Sequence, residues 1–108
     1  MTMASLDEFQ KIDLRIGKIV EAAPHPNADR LLVLQVDLGT ERRQVVAGIK
    51  ASYQPDQLLG RTVALVANLD AATIRGVESQ GMVLAAQDEQ GIVLLTTERP
   101  VTPGTGIK

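Results

Sequence analysis

Between residues 12 and 96 apolar and polar positions alternate in short runs, which is the period of half-buried strands. Ile12, Leu14, Ile16, Val20 and Ala22 fall on one face, with Asp13, Arg15 and Glu21 opposite. Gly17 interrupts this run, as glycine does at a bulge or a sharp bend. Leu32, Leu34, Val36 and Leu38 give a second strand. Gly39-Thr40-Glu41 then turns the chain into a third, Arg42 to Ala47. Val63, Leu65, Ala67 and Leu69 make a fourth and Gly81 to Ala86 a fifth. Asp88 to Gly91 reads as a turn, and Ile92 to Thr96 as one more strand.

Two segments break the period of two. Ser5-Leu6-Asp7-Glu8 has the form of a capping box, and Phe9 and Ile12 follow at helical spacing. A short helix from Leu6 to about Lys11 is expected, serving either as a lid on the core or as a contact with a second copy. Pro55 to Leu59 predicts a second short helix, with proline in its first turn and Gly60 just past its end. His25-Pro26-Asn27-Ala28-Asp29 is turn chemistry, and the segment from Pro100 to Gly104 is expected to be extended or irregular. Three strands, a short helix, then two or more strands is the order of a five-stranded OB-fold barrel. The predicted class is therefore all-β with short helices, a barrel over Ile12 to Thr96 with N- and C-terminal extensions. A long first strand bent at a glycine suits a small closed barrel.

The 108 residues suffice for one domain, 1–108, and are too few for two. No run approaches the roughly 20 apolar residues of a membrane helix, and no secretory signal is visible, so cytoplasm is the expected location. Without cysteine, disulfides and cysteine-based zinc sites are excluded. His25 is the only histidine; between two prolines in a turn, it reads as structural. Val77-Glu78-Ser79-Gln80-Gly81 lacks the first glycine of a nucleophile elbow, and no phosphate-cradling G-x-x-x-x-G-K-[ST] is present. No catalytic constellation emerges, no cofactor is implied, and an enzyme is not expected. Net charge is −2, yet eight of the eleven cations lie at or before Arg61. Local charge density, not the sum, governs binding to polyanions.

Five segments together resemble one family. They are Asp13-Leu14-Arg15-Ile16-Gly17-Lys18-Ile19, His25-Pro26-Asn27-Ala28-Asp29-Arg30-Leu31, Val45-Val46-Ala47-Gly48-Ile49, Val66-Ala67-Asn68-Leu69, and Ile74-Arg75-Gly76-Val77-Glu78-Ser79-Gln80-Gly81-Met82. In order and spacing they look like the tRNA-binding domain of methionyl-tRNA synthetases and of free-standing structure-specific tRNA-binding proteins. The resemblance implies an OB-fold, a homodimer, and non-catalytic recognition of the folded tRNA corner, with an aminoacyl-tRNA synthetase as a possible partner. A related export chaperone of the same fold supplies the alternative, binding of unfolded proteins.

The resemblance points to Ser79 and Met82 as RNA contacts, with Arg75 and Asn68 in the same pattern. A serine hydroxyl can bond phosphate or a 2′-OH, and methionine can pack on an unstacked base. The alternative is that Met82 starts strand five as core and Ser79 ends a loop, while Gly76 serves backbone geometry. Lys18, Arg30, Arg42 and Lys50 are the candidates for phosphate neutralisation. With only Phe9 and Tyr53, no aromatic stacking platform is available, so the reading is of phosphate, shape and one or two bases. Family members often carry cations between the Asn-Leu and Arg-Gly elements; here that loop reads Asp70-Ala71-Ala72-Thr73. Phe9, Val101 and Ile107, in the two extensions, are expected to be buried against a twofold mate.

Overall fold

The structure, a computed structural model, describes residues 1–108. In chain order the elements are α1 (Leu6–Gln10), β1 (Leu14–Pro24), β2 (Leu32–Asp37), β3 (Arg42–Ala47), α2 (Pro55–Leu58), β4 (Thr62–Val66), β5 (Ala72–Ile74), β6 (Val77–Ser79), β7 (Met82–Val83), β8 (Ala85–Asp88) and β9 (Gly91–Leu94). Five strands form one antiparallel sheet in the order β3-β2-β1-β4-β7, curled into a nearly closed barrel of OB-like type. The expected fold class is borne out, with α2 between β3 and β4.

The clean alternation of β2 places Leu32, Leu34 and Val36 fully inside. They join Ile19, Val45, Leu58, Val63 and Leu65 in an eleven-residue core. Burying each of these side chains contributes about 1.5–3 kcal/mol, which is what holds so small a barrel together. β1 is long because it serves two partners: Leu14 to Lys18 pair with β4, and Lys18 to Pro24 pair with β2. The hand-over falls beside Gly17, where a Cβ would overlap Val36 Cγ1.

Several expectations need correction. The bulge in β1 lies at Val20, between Ile19 and Glu21, so the alternation slips there. Ile19 is therefore fully buried, Val20 only half-buried, and Ile12 lies before the strand and is exposed. β4 ends at Val66; Ala67 is buried, but Leu69 is exposed in the loop that follows. Strand five divides into β7 and β8 at Leu84, which donates its N–H to Ala64 O and accepts Leu95 N–H, so the pairing passes there from β4 to β9. β8 pairs with β9 outside the barrel, and β9 stops at Leu94. Half of the Asp70 loop is strand: β5 and β6 form a hairpin that the apolar pattern did not announce.

α1 has its capping box, with Glu8 N–H bonded to Ser5 Oγ and Ser5 N–H to Glu8 Oε1. Those bonds from Ser5 hold the Glu8 carboxyl below its ordinary pKa. The helix buries no residue, so it is not a lid. The tail is ordered along β1: Gly104 N–H bonds Ile16 O, Ile16 N–H bonds Thr105 O, and Ile107 N–H bonds Leu14 O. This covers the edge that β2 leaves free. No helix is long and apolar enough to cross a membrane.

Candidate nucleic-acid interface

β3 and β7 approach each other without exchanging ladder bonds, and hydrogen bonds from the Glu78–Gly81 segment, through the Ser79 and Gln80 side chains and the backbone, close the gap. Val46 N–H donates to Ser79 Oγ at 3.0 Å, and Ser79 O–H donates to Gly81 O at 3.1 Å. Gln44 N–H donates to Gln80 Oε1, Gln80 N–H to Gln44 O, and Gln44 Nε2 to Glu78 O. Arg43 spans the seam, donating from one nitrogen to Ala67 O at 2.7 Å and Gln80 O at 3.1 Å, while pairing with Glu41. β3 would otherwise present an unpaired edge, the usual liability of an open sheet. Arg43 as a structural cation escaped the sequence reading; its parity with the inward Val45 and Ala47 was the available signal.

Above the seam, two loops are tied together. The β5–β6 hairpin turns at Arg75 (φ 53) and Gly76 (φ 88), the two left-handed positions of a type I′ turn. Glycine takes this conformation freely, as expected for Gly76; arginine does so at about 1–2 kcal/mol. His25, 5% exposed, reaches Ile74 O from Nε2 at 2.9 Å and accepts Asn27 N–H on Nδ1 at 2.9 Å. A backbone N–H must donate, so Nδ1 carries the lone pair and Nε2 the proton. Asn27 Nδ2 donates to Arg75 O at 3.2 Å. The histidine is structural, as expected, and it joins the β1–β2 turn to the β4–β7 connection. These are the loops that flank the ligand face in OB-folds.

The expected site residues do not all converge. Met82 opens β7 but is 47% exposed, so it is not core. It lines an apolar groove of about 350 Å³ with Val46, Ile49, Val83, Leu84 and Ile92 among others. Ser79 is 5% exposed and its hydroxyl is fully engaged in the seam. Asn68 accepts Asp13 N–H and donates to Lys11 O, fastening the N-terminal segment to the end of β4. Arg75 is exposed at the hairpin tip, and Arg30 follows in the turn that His25 and Asn27 anchor. Lys50 follows the end of β3 that pairs with the start of β2. Lys18 and Arg42 flank Asp37 at the opposite end of β2, about 17 Å away by strand rise. The four chosen cations thus form two groups. Only Arg15 and Arg43 of the eleven cations are ion-paired, so both groups are available to anions.

Phe9 and Ile107 line one exposed cleft with Leu6 and Ile12. Val101 lies apart from them, lining a polar cleft with Lys18, Arg61 and Arg99.

This is a small barrel with an apolar groove on its closing seam and two tied loops above it, the architecture of a binding module. The chain belongs to the family described as "Putative tRNA binding domain", which matches residues 14–106. It is 54% identical over 108 residues to methionine–tRNA ligase of Thermococcus kodakarensis, covering all of this chain and 15% of that protein. The chain thus spans a small fraction of the curated relatives it matches. Among solved structures, the MetRS related protein from Pyrococcus horikoshii superposes with a TM-score of 0.92 at 33% identity, covering 100% of both chains. The chaperone CsaA from Bacillus anthracis superposes at 0.89 with 29% identity, covering 99% of this chain and 100% of that one.

Proposed function

We propose that the protein binds folded tRNA without catalysing a reaction, reading the tRNA corner by shape and phosphate position. The observation that carries this reading is the joined pair of loops, which carry Arg30 and Arg75, together with the apolar groove that Met82 opens on the closing seam. Arg30, Arg75 and Lys50 take backbone phosphates, while Met82 packs on an unstacked base. Lys18 and Arg42 take phosphates further along the backbone. Ser79 and Asn68, whose polar atoms are engaged within the fold, act by positioning Met82 and the end of β4. The likeness to methionine–tRNA ligases supports such a synthetase as the partner, inside the same polypeptide or beside it, and the cytoplasm as the place of action.

Two experiments probe the surface. Replacing Arg30, Lys50, Lys18 or Arg42 by Glu should weaken binding of all tRNAs alike and lower the slope of log K against log salt by about one per lost contact. Met82→Ala should weaken binding roughly fivefold, the value of one apolar contact of about 1 kcal/mol, with the melting temperature unchanged. Unchanged slopes in all four charge variants, together with full binding by Met82→Ala, would move the site to another face.

The exposed Leu6, Phe9 and Ile12 of the N-terminal segment, with Ile107 of the tail, form the surface for a homodimer. The chain should sediment at twice its 11.6 kDa; a monomer at micromolar concentration would contradict this. A second reading is favoured by the groove itself, nine of whose eleven lining residues are apolar, and by the likeness to CsaA. It is that of a chaperone holding an unfolded segment.

A further inference from the structure

We infer that Asn27 and His25 are positioning residues for RNA binding, holding the Arg75 guanidinium on one phosphate. The inference rests on the tRNA-binding reading above.

Two observations carry it independently. Arg75 occupies the first central position of a type I′ turn at φ 53, where Asn, Asp and Gly are the residues that fit without strain. The barrel makes almost no use of its side chain. It is exposed, it has no ion pair, and its one hydrogen bond within the fold is a long one, 3.5 Å from its guanidinium to Asn27 O. A long cation kept in a strained backbone conformation with so little to do inside the fold has its reason outside the chain.

The second observation is where the clasp takes hold. The body of the hairpin is already tied to β3 through Glu78, Ser79 and Gln80. His25 and Asn27 instead grip its tip, at the successive carbonyls of Ile74 and Arg75. His25 is 5% exposed and both ring nitrogens are bonded, so the ring cannot turn without losing both bonds. The peptide that carries the Arg75 side chain is thereby fixed before any ligand arrives. Fixing it beforehand removes part of the ordering cost of binding.

The test is a double-mutant cycle read by tRNA binding at several salt concentrations, well below the lowest melting midpoint of the proteins compared. Arg75→Ala should weaken binding on the order of tenfold and lower the salt slope by about one. Asn27→Ala should weaken it roughly three- to fivefold. The double variant should bind no more weakly than Arg75→Ala, because Asn27 acts only through that arginine. Arg75→Asn should raise the melting temperature by roughly 4 °C while losing the same tenfold in affinity. A wild-type protein that fails to bind folded tRNA at low salt would overturn the functional reading itself. Wild-type binding with Arg75→Ala unaffected, an additive double variant, or a melting temperature that does not rise in Arg75→Asn would each overturn the positioning inference alone.

Discussion

Arg43→Ala should lower the stability of the barrel by about 2–3 kcal/mol, a fall of roughly 10–15 °C in melting temperature. Arg43 is the one charged side chain that reaches across the seam. It donates to Ala67 O at the end of β4 and to Gln80 O beside β7, while its own strand forms the open edge. Hydrogen bonds from a charged donor contribute about 1.5–3 kcal/mol each, and alanine leaves both carbonyls without this partner. The side chain is 27% exposed, so water recovers part of the loss, and the estimate sits below the sum of two such bonds. Glu41→Gln separates the seam from the ion pair. It keeps both carbonyl bonds and removes a half-exposed pair worth about 0–1 kcal/mol. Thermal melting of both variants decides the matter. Equal losses would mean that the ion pair, not the seam, stabilises the protein, and an unchanged Arg43→Ala would mean that the seam needs no cation.

How much of this was legible follows from the kind of signal each element carries. β2 and β3 were visible because a strand with one wet face writes its burial directly into a period of two; Leu32, Leu34 and Val36 are all fully buried. β1 was visible as a strand but misread in phase. A bulge adds one residue without any residue type that marks it, and here it fell at Val20, three positions after the glycine that drew attention. The β5–β6 hairpin was missed because its fixings are not apolar. It is held by His25, Asn27, Gln44 and Ser79, bonding backbone groups 30 or more residues away in sequence, and no periodicity records such contacts. The same cause explains the site. Arg75, Ser79 and Met82 were picked out together through resemblance, yet one lies at a hairpin tip, one is buried in a seam, and one opens onto a groove. Arg43 was within reach of sequence alone, since it shares the inward parity of Val45 and Ala47 and an inward arginine needs acceptors.

The largest functional effect should come from the ligand's fold rather than from any single residue of the protein. Two aromatics are too few for a stacking platform, and the candidate cations Arg30 and Lys50 stand about 17 Å from Lys18 and Arg42. Such a surface needs phosphates already held at matching separations, which an unfolded strand does not present. A chaperone needs the reverse, a client whose apolar segments are exposed. Direct binding of one tRNA, with and without the magnesium that maintains its tertiary structure and beside an unfolded protein client, therefore tests the central claim. Folded tRNA should bind, chelation of magnesium should weaken it on the order of a hundredfold toward non-specific affinity, and the client should not compete. Binding of the client, with folded tRNA ignored at low salt, would contradict the account and leave the chaperone reading in its place.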